Sequence, residues 1–238
     1  MNLSIKLLRG TTAKNDLAVL PEGKISIDTE RMAIRIHDGV TPGGWVVQAH
    51  RAVTANSVLL AGDTTLGWYG EVAQADFTTV DILRNSVGLI NGDPINNTTP
   101  WLKLQVDGKT LYTPKLPILA DVSYNDLVAA DLALGDSIAF VDGRQYKLRL
   151  FKGATINIVT AQTGGVGSEW DRVFEALTDG TFATMSTADL GLGTVAWTRE
   201  TDGSTNAAIR GGTDYTDFDV MDKDTDIMVV WRPVLEEL

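Results

Sequence analysis

The chain offers few groups able to do covalent chemistry. His37 and His50 are its only imidazoles, and it contains no cysteine. His37 closes "IRIHDG" beside Asp38, and a neighbouring carboxylate can orient an imidazole for acid–base work. No serine or cysteine motif accompanies the pair, so the other reading is a turn histidine whose neighbour caps the loop. His50 lies further on with no carboxylate ligand pattern between the two, which gives a metal site little support. "GLGTVA" (Gly191–Ala196) has the letters of a dinucleotide-binding glycine pattern. That chemistry needs a strand before it and a helix after it. Here "STADL" precedes and "WTRETDGS" follows, so the match is rejected.

Like charge is concentrated in "DYTDFDVMDKDTD" (Asp214–Asp226). Asp222, Asp224 and Asp226 have the alternate spacing of a calcium loop, but the turn glycine would fall on Ile227 and the closing glutamate on Pro233. The stretch is not an EF-hand, and a solvated acidic loop is the favoured reading over a less regular Ca²⁺ site. No two carboxylates are singled out for glycoside cleavage. The sequence indicates no catalytic residue and no cofactor. Aromatic residues gather in the last third: Trp170, Trp197, Tyr215, Phe218 and Trp231, among Asn, Asp, Ser, Thr and Gly. Core packing accounts for the three tryptophans. Tyr215 and Phe218, flanked by Asp214, Asp217 and Asp219, are the candidates for recognition of a sugar or a protein.

The elements that must position these residues read as mainly β with a few short helices. Residues 1–47 read as an all-β module, in which Ile25 and Ile27 share one face of a strand and Ile34 and Ile36 share one face of the next. A hairpin with one apolar face is too small to bury a core alone. It is expected to complete that core against other copies or another domain. Residues 48–97 form a connector, with a helix expected over Glu71–Ser86 and a linker over Ile90–Pro100. Residues 98–238 read as an α+β domain. Hairpins are expected around Asp107-Gly108 and Asp142-Gly143. Helices should follow Ser123, stopping at Gly135, and Ser168, stopping at Gly180. In the second, Trp170, Val173, Phe174 and Leu177 make an apolar stripe.

With 20 Lys and Arg against 31 Asp and Glu the net charge is −11. It is uneven: residues 1–60 hold 7 basic against 5 acidic side chains, and residues 211–238 hold 2 against 8. An acidic body repels a phosphate backbone, so nucleic acid is excluded as a partner. No apolar run approaches a membrane span, and "MNLSIKLLRG" is too short for a secretory signal core, so the reading is a soluble chain made in a cytoplasm, with no membrane insertion.

The N-terminal residues resemble a known module. Arg9-Gly10-Thr11-Thr12, Gly23, Asp28-Thr29 and His37-Asp38-Gly39-Val40-Thr41-Pro42-Gly43-Gly44 follow the order found at the N-terminus of bacteriophage tail-fibre and receptor-binding proteins of the tropism-determinant type. The resemblance implies an intertwined homotrimeric β module of a virion, made in the host cytoplasm, whose residues serve assembly and need no catalytic group. Near the other end, "IRGG" and "WRPVLEEL" are similar to the ending of C-type-lectin-like folds, although Val230-Trp231-Arg232 stands where Gly-Phe-Arg is the rule. That similarity implies core strands at 209–212 and 229–234, with 214–226 as a surface loop facing a receptor.

Together these readings give a phage structural protein, a tail fibre, spike or appendage subunit that attaches to the host surface and is not an enzyme. Its expected partners are further copies of itself, other tail or capsid proteins, and a host glycan or protein. Two alternatives stand beside it: a capsid-decoration or tail-collar protein without receptor binding, and a depolymerase of surface polysaccharide. The depolymerase ranks last, since the chain lacks the length of a catalytic β-helix.

Overall fold

The computed structural model describes residues 8–29, 33–47, 57–141, 143–155, 166–183 and 185–238; His50 lies outside them. The chain divides into two compact units, Met1–Ala52 and Val53–Leu238. Strands dominate both, so the fold is mainly β with a few short helices.

In the first unit, β1 (Leu8–Gly10) leads into α1 (Thr12–Leu17), followed by β2 (Ile25–Asp28), β3 (Ala33–Ile36) and β4 (Trp45–Val47). They form one sheet in the order β1-β2-β3-β4. The expected hairpin is present, with Ile25 opposite Ile36 and Ile27 opposite Ile34. The unit is not all-β as expected. Thr11 caps α1 with its hydroxyl, and the Asn15 amide ties the helix to the carbonyls of Gly10, Thr11 and Ile27. Those side-chain bonds substitute for the tertiary packing that a six-residue helix lacks.

The second unit begins with β5 (Ala61–Gly62) and β6 (Leu66–Val72), then α2 (Val80–Val87), β7 (Asp93–Pro94), β8 (Trp101–Val106), β9 (Lys109–Pro114) and β10 (Leu119–Ala120). It continues through α3 (Tyr124–Ala129), β11 (Ser137–Val141), β12 (Arg144–Arg149), α4 (Glu169–Thr178), β13 (Val195–Thr201), β14 (Asn206–Arg210), β15 (Phe218–Asp222), β16 (Val229–Trp231) and β17 (Val234–Glu237). A seven-stranded sheet has the order β11-β12-β17-β9-β8-β6-β5, and a six-stranded sheet the order β15-β14-β13-β16-β10-β7. β8 is buried along its whole length: Leu102, Leu104 and Val106 join one apolar cluster with α4, while Trp101 joins another with α2 and α3. The strand is covered on both faces although Lys103 and Gln105 alternate with Leu102, Leu104 and Val106 along it.

Three expected elements differ. The helix expected over Glu71–Ser86 is confined to Val80–Val87, because Glu71 and Val72 pair with Leu102 and Trp101, Gln74–Asp76 make a 3₁₀ turn, and the Thr79 hydroxyl caps the helix by accepting from Ile82 N–H. Ile90–Pro100 is not a linker: Asp93 and Pro94 pair with Ala120 and Leu119, and Asn96 Nδ2 donates to the Pro117 carbonyl at 2.8 Å. Residues 61–97, read as connector, thus supply strands and a helix to the second unit. The helix after Ser123 stops at Ala129 rather than Gly135, and Asp131 takes a left-handed φ of 59°. The Asp107-Gly108 hairpin, the pairing of β11 with β12 around the second expected turn (Asp142 lies outside the described residues), the Ser168 cap and the buried stripe Trp170, Val173, Phe174 and Leu177 occur where the sequence places them.

Candidate functional site

The first unit is built inside out. Asn15, Ser26, Asp28, Arg35 and His37 are buried, whereas Ile25, Ile34 and Ile36 are each about two-fifths exposed and Trp45 is 65% exposed. Strand alternation explains the inversion: Ser26, Asp28 and Arg35 point to the side carrying α1, and the isoleucines to the other. Ile36 pairs with Trp45, which extends the apolar face across three strands.

The polar face is largely paired, although the buried Arg35 Nε has no hydrogen-bond partner. Arg35 Nη2 donates to Asp16 Oδ1 at 2.6 Å and Asp28 Oδ2 at 3.1 Å, and its Nη1 donates to the Gly43 carbonyl at 3.1 Å. Ser26 Oγ lies 2.9 Å from His37 Nε2, while His37 Nδ1 has no partner. Asp38 does not orient His37. Its carboxylate accepts from the backbone of Val40 at 3.0 Å and Thr41 at 2.8 Å, the Thr41 hydroxyl at 2.6 Å and the Trp45 indole at 3.0 Å. Chiefly the Thr41 hydroxyl, with these other donors, holds its pKa well below the usual carboxylate range. The acid–base reading of His37 therefore fails on geometry, and the turn reading stands.

The turn also demands its glycines. Gly44 has a φ of 59°, and a Cβ there would meet the Ile36 carbonyl at 2.6 Å and His37 Nδ1 at 2.8 Å. Gly23 and Gly39 likewise have positive φ, Pro42 and Arg9 are exposed, and the Gly10 carbonyl accepts from the Thr29 backbone N–H at 2.9 Å. The assembly residues named from the sequence thus shape turns and strand ends; the apolar face itself belongs to the isoleucines and Trp45.

In the second unit, Asp217 accepts from the backbone of Thr213 at 2.8 Å and of Asp214 at 3.2 Å, and from the Thr213 hydroxyl. Asp214 Oδ1 accepts from Thr216 N–H at 3.1 Å. Both carboxylates fold their own loop, and the Thr213 bonds hold Asp217 below the usual range. The Tyr215 carbonyl receives the Trp170 indole at 3.0 Å and Arg210 Nη2 at 2.7 Å. Phe218 is half-buried, with the Arg210 guanidinium 5.5 Å from its ring centre and Ala154 and Ala208 beneath it. Asp219 is exposed.

The stretch 214–226, expected as one surface loop, contains β15, because Phe218–Asp222 pairs residue by residue with Asn206–Arg210. Asp222 accepts from Asp224 N–H at 2.9 Å, and Asp224 Oδ1 from Asn125 Nδ2 at 2.6 Å; both carboxylates are engaged within the fold. Among the described residues no group of three or more His, Cys, Asp or Glu is placed to hold a metal ion.

Sequence reasoning missed the buried charges that tie α4 to the sheets. Arg149 forms a two-pronged pair with Glu169 at 2.7 Å on each prong, and Arg210 pairs with Asp171. Arg232 is fully enclosed, its guanidinium 4.9 Å from the Phe174 ring centre and donating to the Leu190 carbonyl. The available signal was an arginine beside short apolar runs: "LRLF", "AIRGG" and "VVWRP".

The described residues thus give a β-rich chain whose first unit turns an apolar sheet face outward. No protein-family model matches the sequence, and no curated protein sequence matches it. Solved structures similar to it include the "Major Tropism Determinant P3c Variant", at 12% identity over 98% of this chain and 100% of that one, with a TM-score of 0.23. The I1 variant shows 12% identity with a TM-score of 0.24, and the M1 variant 12% with 0.22, each again over 98% of this chain.

Proposed function

We propose that this chain is a structural adhesion subunit of a phage particle, in which the N-terminal unit assembles copies of the chain into a homotrimer and the C-terminal unit holds a host-surface glycan or protein. The observation that carries this reading is the outward face of Ile25, Ile34, Ile36 and Trp45, with ionic and amide groups sealed on the opposite side. Burying the remaining exposed part of each side chain against other copies contributes on the order of 1 kcal/mol per residue, favouring association over an isolated sheet. The turn-forming residues shared with tail-fibre modules support it, since they build the frame on which that face is carried. Weak contacts at each C-terminal unit then suffice, because linked copies bind at high effective concentration.

Light scattering after size exclusion tests the reading. It expects a species at three times the 25.7 kDa chain mass. Ile34→Asp with Ile36→Asp should reduce it to one chain mass without loss of strand signal in circular dichroism. A wild-type monomer across the micromolar range overturns the assembly role.

A further inference from the structure

The segment after β12 is pinned on several sides. Gly153 N–H donates to Glu200 Oε2 at 2.8 Å, its carbonyl accepts from Arg210 Nη1 at 2.8 Å, and a Cβ at Gly153 would stand 2.3 Å from Thr198 Oγ1. Beside this fixed backbone opens a cleft of about 370 Å³, within the size range of small-ligand sites. Lys152, Ala154, Thr155, Arg199, Glu200 and Thr201 line it. Two cationic residues thus share the lining with one carboxylate and two threonines, in a protein whose overall charge is −11.

The carboxylate is mostly enclosed, with 14% of the Glu200 side chain exposed, and burial pushes its pKa up despite the Gly153 N–H. Arg199 Nε lies 3.9 Å from Glu200 Oε1, beyond hydrogen-bond reach, so this pair does not consume the guanidinium donors. Ala154 also packs with Ala208 under Phe218, which puts an aromatic ring beside the loop that walls the cleft.

We propose that this cleft binds an acidic sugar residue, its carboxylate held between Lys152 and Arg199 and its hydroxyls donating to Glu200 and meeting Thr201. A phosphate dianion fits less well, because the enclosed Glu200 carboxylate repels it and offers it no donor for its second charge. A hexuronate or sialate carries a single charge together with the hydroxyls that Glu200 requires. The source of the sugar, a host-surface polysaccharide, rests on the adhesion reading; the ligand class rests on the cleft.

The test is calorimetry on the full chain with a panel of uronate- and sialate-containing trisaccharides, with maltotriose and inorganic phosphate as controls. At least one acidic trisaccharide should bind and saturate, with maltotriose and phosphate silent. Lys152→Ala and Arg199→Gln should each weaken binding about tenfold, the loss expected for one charge-assisted contact. Lys152 is exposed, so its variant keeps the fold. No saturable binding across the panel, equal binding of maltotriose, or an unchanged affinity in Lys152→Ala overturns the proposal. Sugar binding by a chain that stays monomeric removes the assembly reading and keeps the cleft; a trimer that adsorbs to cells but binds no panel sugar does the reverse.

Discussion

In the N-terminal unit Arg35 Nη2 stands 3.1 Å from Asp28 Oδ2, with the Arg35 side chain 4% exposed and that of Asp28 0%. The sheet that carries this pair turns Ile34 and Ile36, the residues on either side of Arg35, toward solvent. Charges withdrawn from water are held only by their mutual attraction and by satisfied hydrogen bonds, so the pair fixes which face of the hairpin is inside. The isoleucines are outside because the arginine is in.

Arg35→Ala removes the guanidinium from a carboxylate, that of Asp28, whose side chain is 0% exposed. A loss of about 3 kcal/mol is expected for breaking such a pair. Hydrogen exchange read by mass spectrometry should show it in peptides from residues 8–47, with the second unit unchanged. Arg35→Met with Asp28→Leu should recover most of the loss, since it removes both charges. Undiminished protection in the single variant would show that the pair does not set the face.

The Asp38 clamp gives the turn an acid limit. Its folded pKa is depressed, first by the Thr41 hydroxyl and then by the backbone of Thr41 and Val40 and the Trp45 indole. A depressed carboxylate contributes stability that is full above its unfolded pKa of about 3.9 and is lost as pH falls through the folded value. The Trp45 indole N–H resonance, assigned with Trp45→Phe, should therefore hold its position down to pH 4 and move only in stronger acid. In Asp38→Asn it should sit at the displaced position at every pH.

Ser123 caps α3 with a reciprocal arrangement: its hydroxyl accepts from Asp126 N–H at 3.1 Å, and the Asp126 carboxylate accepts from Ser123 N–H at 3.1 Å. Ser123→Ala should cost about 1 kcal/mol in urea unfolding, the usual value of such a cap. Asp126→Asn should cost less, because the amide oxygen still accepts.

That cap was legible because Ser-x-x-Asp is a local signal, as was Ser168 before the stripe of α4 and each Asp-Gly hairpin. The apolar face of Ile25, Ile27, Ile34 and Ile36 was legible from period-two spacing. Which side it turned to was not, because that depends on Asp16, Asp28 and Gly43 meeting around Arg35 across the sheet. The helix overextended over Glu71–Ser86 shows the same limit: Val72 fits a helical spacing, yet pairing with Trp101 in a distant strand claims it. The cleft gathers Lys152, Arg199 and Glu200 from a loop and a strand nearly fifty residues apart, and no local pattern marks such a meeting.

The junction of α4 with the seven-stranded sheet sets the acid stability of the second unit. Arg149 holds Glu169 with two bonds of 2.7 Å and reaches Glu236 with Nε at 3.1 Å, while Lys109 also donates to Glu236. Glu169→Ala removes two charge-assisted bonds from an Arg149 side chain that is 5% exposed and leaves it Glu236 as ionic partner, so a loss of about 2 kcal/mol is expected at pH 7. For Glu236, burial opposes ionisation, but the bonds from Lys109 and Arg149 outweigh it and the folded pKa is lowered. Its contribution is therefore complete above its unfolded pKa of about 4.3 and fades as pH falls through the folded value. Urea unfolding of Glu236→Gln should show a deficit against wild type at pH 7 that shrinks steadily in acid. A deficit that instead grows toward low pH would mean that Glu236 is protonated more readily in the folded chain than in the unfolded one, the opposite of what its two cationic partners dictate.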